Sequence, residues 1–202
     1  MTRRQVVVIL HGPSGVGKDS VVEALRERIG IHRATSSTSR PPRDYEVGGV
    51  HYHFLSEEEF ETKIERGDFA EYARVYDQWK GLETRELLEP LERGQDVIIR
   101  TDVQGARHWR EVVEGAISIF LMAEDREALR ARLIGRDTED GDALARREAE
   151  LEAELDDLEH NDYIVLNRHG DLEGTISEIA GIIEQERVNP ERPDVRLRKP
   201  LR

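Results

Sequence analysis

A glycine-rich turn near the amino terminus carries the residue types of a phosphate-binding loop. Its sequence, GPSGVGKDS, follows an apolar run over residues 5–10 and precedes a helix-like stretch over 20–26. Glycines let the backbone turn with its N–H groups inward, the helix start adds its positive dipole end, and Lys18 supplies a mobile cation. The loop therefore predicts a nucleoside triphosphate site rather than a turn that merely joins a strand to a helix. Its candidate ATP-binding residues are Gly12, Pro13, Ser14, Gly15, Val16, Gly17, Lys18, Asp19 and Ser20.

Asp19 departs from the usual pattern of such loops. The pattern has Ser or Thr after the lysine, so that a hydroxyl can reach Mg²⁺, and here a hydroxyl comes only one position later, at Ser20. A carboxylate is a hard oxygen ligand for Mg²⁺, but it also brings negative charge towards the phosphates. Asp19 is therefore the candidate metal ligand, and the sequence leaves open whether it binds the ion.

A second candidate phosphate site lies in the polar segment 36–52. Arg40 and Arg43 flank a Pro-Pro turn, and Tyr45 and Tyr52 follow them. Arginine binds phosphate through two parallel hydrogen bonds, and the prolines stiffen the loop that presents it. The segment predicts a phosphate-bearing acceptor, with a solvated basic loop as the alternative if it is considered alone.

Composition limits the setting of this chemistry. The 202 residues suffice for one α/β core with insertions, and none of them is cysteine. A net charge of −13 argues against general binding to nucleic acid or to anionic lipid. No apolar run approaches the roughly 20 residues of a membrane span. We therefore expect a cytoplasmic protein that acts on small molecules, without nucleic acid or membrane partners.

Strand and helix patterns alternate along the chain. Apolar runs typical of buried strands cover residues 5–10, 96–99, 117–122 and 163–166. Helical patterns cover residues 20–26, 104–113, 126–133, 143–160 and 172–187. This alternation predicts an α/β fold in which the strands share one main sheet.

A block between the first helix and residue 94 interrupts that alternation. Residues 34–54 are rich in Pro, Gly and Ser and predict loops with short strands. Ser56 and Glu59 form a capping-box signature for a helix that ends at Gly67, after which 69–76 predicts a strand and 84–93 a helix. The block is therefore predicted to be an insertion with its own small fold.

Two further segments lack a regular pattern. The interruption GRDTEDGD, over residues 135–142, predicts the tip of a lid between two helical segments. The tail over 188–202 contains three prolines and little apolar content, so it is predicted to be largely disordered.

Four motifs together give the chain a specific resemblance. The phosphate-binding loop is followed by STSRPPRDYEVGGVHYHFLSEEEF, GDFAEYARVY and TDVQGAR, in the order and spacing of guanylate kinases. From Val6 to about Ile183 the chain resembles that family. The resemblance implies a P-loop NTPase-type α/β fold, with a parallel five-stranded sheet flanked by helices, an inserted mixed α+β acceptor-binding lobe and a helical lid. It implies one domain over 1–187, with core 1–35, 93–132 and 159–187, lobe 36–92 and lid 133–158.

The same resemblance implies an activity and assigns residues to it. The activity is Mg²⁺-dependent transfer of the ATP γ-phosphoryl to GMP, giving GDP and ADP. The acceptor phosphate would be held by Arg40, Arg43, Tyr52 and Lys80. Guanine would be read by Ser36, Glu71 and Asp102. The catalytic cations would be Lys18, Arg136 and Arg147, and Asn167 would lie near adenine.

Four departures from the family pattern lie near the predicted site. Besides Asp19, Lys80 stands at a position where the resemblance implies tyrosine, and Leu82 stands where a hydroxyl residue often touches the guanine carbonyl. Arg100 replaces an acidic residue that is often found two positions before Asp102. The departures at Asp19 and Lys80 are compatible with phosphate chemistry, whereas Leu82 predicts weaker reading of the base.

Two other functions stay open from the sequence. The Lys-Asp-Ser ending of the loop also resembles ribose 1,5-bisphosphate kinases, which would have no use for Glu71 and Asp102 as base readers. A non-catalytic guanylate-kinase-like binding module is the second alternative, although the glycines and Lys18 are intact. The sequence does not distinguish a monomer from a homodimer.

Overall fold

The computed structural model describes residues 4–13, 15–75, 77–124 and 158–198. In chain order its elements are β1 (Val7–His11), α1 (Lys18–Ile29), β2 (His32–Arg33), β3 (Ser37–Thr38), β4 (His53–Phe54), α2 (Glu57–Arg66), β5 (Phe69–Val75), β6 (Gln78–Glu83), α3 (Arg85–Glu92), β7 (Val97–Arg100), α4 (Val103–Val112), β8 (Val113–Glu114), β9 (Ile117–Ala123), a 3-10 turn (Leu158–His160), β10 (Tyr163–Asn167), α5 (Leu172–Val188) and β11 (Arg196–Leu197).

A parallel five-stranded sheet forms the centre of the molecule. Its strand order is β10-β9-β1-β7-β2, and every neighbouring pair runs parallel. All five residues of β1 are buried, which a strand covered by helices on both faces requires. The predicted α/β fold with a parallel five-stranded sheet is confirmed.

Alternate residues of β1 point into two separate cores. Val8 and Leu10 pack with apolar residues of α1 and α5 on one face of the sheet. Val7 and Ile9 pack on the other face with residues of α3 and α4, including Trp109. Because both faces are covered, chemistry is left to the edge where the parallel strands end.

The predicted insertion forms a second, mixed sheet. Its order is β4-β3-β6-β5, with β3 parallel to β4 and antiparallel to β6. Helix α2 packs on it through the buried Phe60, whose ring stacks on Phe69 at a centroid distance of 4.3 Å. The capping box at Ser56 and Glu59 is confirmed, since each side chain bonds the other residue's backbone N–H.

The predicted disorder of the tail is wrong for residues 188–198. Strand β11 pairs antiparallel with β8, and Arg192 is only 6% exposed. The Arg192 guanidinium donates to the carbonyls of Gln5, Gly115 and Glu186, each at 3.0 Å. Buried hydrogen bonds to distant backbone groups, rather than apolar content, order this segment.

Several predicted segments lie outside the described residues. They include the helix over 126–133, the lid tip over 135–142 and most of the helix over 143–160. The bounds of core, lobe and lid stay predictions. None of the helices described is long and apolar enough to cross a membrane.

Candidate functional site

The phosphate-binding loop connects the end of β1 to the start of α1. Gly12 has φ +135°, and a Cβ atom there would lie 2.2 Å from the carbonyl oxygen of Leu121 in β9. Gly17 caps α1 in the left-handed region, with φ +98°. The loop therefore depends on glycine at both positions, one for close packing on a strand and one for the turn into the helix.

Lys18 lies across its own loop. Its ammonium group donates to the carbonyls of Gly12 at 2.5 Å and Pro13 at 2.9 Å. These bonds hold the cation at the mouth of the loop, where it can exchange carbonyl partners for phosphate oxygens.

Asn167 supports the loop from below. Its side-chain amide donates to the carbonyl of Val16 at 2.7 Å, and its oxygen accepts from the hydroxyl of Thr175 at 3.2 Å. The residue is only 7% exposed. Asn167 therefore stabilises the loop through a hydrogen bond to its backbone. Its assignment to the adenine site stays a prediction.

Asp19 and Arg100, two of the residues that depart from the family pattern, form an ion pair with each other. The Arg100 guanidinium donates to Asp19 Oδ1 through Nε at 3.0 Å and Nη2 at 2.8 Å, and to Oδ2 through Nη2 at 2.6 Å. Burial opposes ionisation of Asp19, but these bonds and the charges of Arg100, Arg33 and Lys18 hold its pKa below the ordinary value. Asp19 is thus a carboxylate whose charge is already matched by a neighbour.

Three of the four predicted acceptor-phosphate residues lie on the loop between β3 and β4, and the fourth, Lys80, lies in β6. Arg40 forms a two-point ion pair with Glu46, at 2.6 and 2.5 Å, and its guanidinium lies 5.1 Å from the ring centre of Tyr52. The hydrogen bonds from Arg40 lower the pKa of Glu46 to about 2. Arg43 is exposed and donates to the Tyr45 hydroxyl at 2.9 Å. Glu46 therefore holds Arg40 in one orientation while Arg43 stays at the surface.

The predicted guanine readers come from the lobe and from the core. Glu71 lies in β5 opposite Leu82 of β6, and Asp102 caps α4 by accepting from the Gly105 N–H at 2.7 Å. Burial, together with the negative charge of Asp102, raises the pKa of Glu71 to about 7. Two carboxyl groups from different elements therefore influence each other across one cavity.

Two cavities that share a wall contain these residues. One, of about 980 Å³, is lined by Arg40, Arg43, Tyr52 and Asp19 among others. The second, of about 560 Å³, is lined by Gly12, Lys18, Glu71 and Asp102 among others. The residues that line both are Ser36, Tyr52, Lys80 and Arg100. Every predicted acceptor residue thus lies at one cavity or the other, next to the phosphate-binding loop.

Three predicted site residues are outside the described part of the chain: Ser14, Arg136 and Arg147.

The structure also shows two glutamates with close contacts that the sequence analysis does not single out. Glu46 follows Arg40 by six residues, and that local spacing was the available signal. Glu86 accepts from the Thr35 N–H at 2.9 Å and contacts His53 at 3.0 Å, and no local pattern marks it.

The donor set fits Mg²⁺ only in combination with a nucleotide. Within the described residues, no group of three or more His, Cys, Asp or Glu side chains could hold a metal ion. Asp19 Oδ2 accepts one hydrogen bond from Arg100, which leaves that oxygen further acceptor capacity. A single carboxylate beside a phosphate cradle suits an ion that keeps its waters and binds mainly to substrate phosphates.

Comparison with known proteins agrees with this geometry. The sequence profile described as guanylate kinase matches residues 3–186. The chain is 41% identical to "Guanylate kinase 2, chloroplastic/mitochondrial" of Oryza sativa subsp. japonica, over 95% of this chain and 68% of the relative. It is 37% identical to a guanylate kinase of Clostridioides difficile (strain 630), over 92% and 90% of the two chains. A crystal structure of guanylate kinase from Anaplasma phagocytophilum superposes with a TM-score of 0.69 and 28% identity, covering 95% of this chain and 90% of that one. The chain belongs to the guanylate kinase family.

Proposed function

We propose that this protein is an ATP:GMP phosphotransferase, which forms ADP and GDP. The observation that carries the proposal is the shared wall between the two cavities. One cavity contains Lys18 of the phosphate-binding loop together with Glu71 and Asp102, and the other contains Arg40 and Arg43. A donor triphosphate and an acceptor monophosphate bound there would lie next to each other.

Positioning and charge neutralisation account for the chemistry of the described residues. The acceptor phosphate is already an anion at neutral pH, so no side chain needs to act as a nucleophile. Lys18 exchanges its two carbonyl partners for donor phosphate oxygens and offsets the charge that develops on them. Arg40, held by Glu46, fixes the acceptor phosphate beside Tyr52.

Base selection falls to the two carboxyl groups. Guanine offers an N1–H and a 2-amino group side by side, and an ionised Glu71 can accept from both, whereas adenine lacks that donor pair. Asp102 would add a second acceptor, with Oδ1 already bonded to Gly105 N. Leu82 faces Glu71 across the strand pair and contributes no hydrogen bond.

Mg²⁺ is the proposed cofactor. When bound it would neutralise phosphate charge and orient the donor oxygens, and the Asp19 carboxylate would be its protein ligand. Arg136 and Arg147 are proposed to add positive charge to the transferring group, and both lie outside the described residues.

We further propose a cytoplasmic location. The protein is proposed to be a monomer or a homodimer, and light scattering after size exclusion would distinguish these two states.

A coupled assay tests the proposed reaction. ATP and Mg²⁺ are offered with GMP, AMP or ribose 1,5-bisphosphate in parallel. We expect turnover that is selective for GMP, because only guanine matches the acceptors at Glu71 and Asp102. Turnover on the phosphosugar alone would contradict the proposal and favour the sugar kinase, and binding without any turnover would favour the non-catalytic module.

Lys18→Ala tests the role of the phosphate-binding loop. Loss of this cation should lower kcat by about 100-fold or more, because it acts where charge develops in the transition state. Arg26→Ala is the matched control, since Arg26 is exposed on the same helix and, among the described residues, its guanidinium pairs with Glu23 at 2.7 Å. Near-full turnover in Lys18→Ala would show that the loop was assigned wrongly.

A further inference from the structure

Arg100 occupies a position from which it reaches both halves of the proposed site. It is the last residue of β7 and pairs in register with Leu10 of β1, two residues before Gly12. Its side chain is 33% exposed. It lines the cavity of Arg40 and Tyr52 as well as the cavity of Lys18 and Glu71.

The guanidinium is held on one edge only. Nε and Nη2 bind Asp19, and no acceptor among the described residues bonds Nη1. Burial opposes ionisation of Arg100, but the hydrogen bonds and charge of Asp19, with further contributions from Tyr52 and Asp102, keep its pKa raised. The group is therefore a fixed cation with unused donor capacity.

The opposite charges of Asp19 and Arg100 explain why these two departures from the family pattern are compatible with each other. A carboxylate at position 19 alone would repel the phosphates of both substrates. Arg100 cancels that charge and, in place of the acidic residue of the family pattern, makes the shared wall more positive. Of the residues that line both cavities, Lys80 supplies a cation from the lobe and Arg100 supplies one from the core.

We propose that Arg100 is a further substrate-binding residue that contacts the acceptor phosphate from the core side, with Asp19 as the positioning residue that orients its guanidinium. This inference rests on the proposed function, because it identifies the phosphate in question as that of GMP. Arg40 and Lys80 would hold the same phosphate from the lobe.

Binding of GMP and of guanosine, measured by calorimetry without ATP, tests the contact. The ratio of the two affinities isolates the contribution of the phosphate. Arg100→Ala should weaken GMP binding by about 10-fold or more and leave guanosine binding unchanged, since a charge-assisted hydrogen bond to phosphate is lost. Arg100→Lys should have a GMP affinity between those of wild type and Arg100→Ala, because lysine keeps the positive charge but cannot donate two parallel hydrogen bonds to one phosphate.

Asp19→Asn separates binding from mere structural support. If Arg100 contacts phosphate, Asp19→Asn should change GMP affinity by no more than about 3-fold, because the amide oxygen can still accept from the guanidinium and orient it. The double variant should then match Arg100→Ala. If Arg100 serves only to neutralise Asp19, Asp19→Asn should restore the GMP affinity lost in Arg100→Ala, and the proposal is overturned. An unchanged ratio of GMP to guanosine affinity in Arg100→Ala overturns it as well.

Matched controls keep the outcome tied to this contact. Arg28→Ala removes an arginine of α1 that pairs with Glu173 away from both cavities, and it should leave both affinities unaltered. Arg100→Gln, closer in size, replaces the alanine variant if thermal unfolding shows a folding defect. Wild-type protein that fails to phosphorylate GMP would contradict the proposed function, whereas an active wild type with the same affinity ratio in Arg100→Ala contradicts only this inference.

Discussion

Glu71 is predicted to accept hydrogen bonds as a carboxylate, but two features of its surroundings favour the neutral carboxyl group. It is partly buried in the lobe, and its neighbour across the cavity is another acid, Asp102, so its pKa is raised to about 7. Guanine N1–H and 2-amino groups donate best to an ionised carboxylate. Binding of the base should therefore release a proton near neutral pH.

This property predicts a pH-dependent affinity. Below pH 7 the free protein carries mostly neutral Glu71, so GMP affinity should fall by about 10-fold between pH 8 and pH 6 as the ionised fraction declines. Calorimetry across this range would measure it. Guanosine should show the same trend, which excludes titration of the GMP phosphate as the cause.

Glu71→Gln supplies the control for that prediction. The amide does not titrate, so its profile for guanosine should be flat, and its preference for GMP over AMP should be reduced. Equal slopes in wild type and Glu71→Gln would contradict the assignment of Glu71 as the titrating group.

Single residues also show where sequence reasoning reached its limit. The positions of Asp19 and Arg100 as departures were visible in the sequence, but their pairing was not, because 81 residues separate them. Glu71 and Asp102 are assigned by the family resemblance, Arg40 and Arg43 also by their place on a Pro-Pro loop, and the structure brings all four to adjoining cavities. The position of Asn167 beneath the loop depends on a hydrogen bond to Val16 that no local pattern signals.

At the scale of elements, the phosphate-binding loop depends on its fit against β9. Gly12→Ala would place a methyl group against the Leu121 carbonyl in a backbone conformation that alanine disfavours. We expect a loss of about 3 kcal/mol in the free energy of unfolding, with ATP binding abolished, because the loop cannot keep its path. Chemical denaturation and calorimetry would measure the two effects.

Gly181→Ala is the control for that substitution. Gly181 lies in α5, and a Cβ atom there meets nothing within 4 Å. Alanine should stabilise the protein by about 0.5–1 kcal/mol through helix propensity. If both glycines tolerated alanine equally, the proposed packing of the loop on β9 would be wrong.

Elements with strong local signals were predicted well. The capping box of α2 and the apolar runs of β1, β7, β9 and β10 are local sequence patterns. The ends of these elements therefore agree with prediction within a few residues. Short strands are predicted within residues 34–54, but the positions of β3 and β4 there, like that of β2, have no local signal, since pairing with distant strands defines them. Strand β11 was missed for the same reason.

At the scale of the whole molecule, the tail is held by a two-stranded sheet of β11 with β8 and by buried hydrogen bonds of Arg192. Arg192 satisfies three backbone carbonyls from three segments. Arg192→Ala should lower the free energy of unfolding by about 3 kcal/mol, because those buried acceptors lose their donor. Urea denaturation would measure the change, and steady-state kinetics of the folded variant should be unaltered.

Arg198→Ala is the matched control in the same tail. Arg198 is exposed and pairs with Glu114 at 3.6 Å. An exposed pair of this kind contributes about 0.5 kcal/mol or less, so the variant should unfold like wild type. A similar loss in both variants would mean that the tail is held by something other than the Arg192 hydrogen bonds.

The contacts of Arg4 have a practical consequence. Its guanidinium donates to the carbonyls of Asn189 and Arg192, so the first and last described segments of the chain meet. Strand β1 runs from that junction to the phosphate-binding loop, which places both ends of the described chain on the side opposite the two cavities. A short linker from residue 198 to residue 4 would therefore give a circular permutant, and a surface attachment at either of these residues would leave both cavities open.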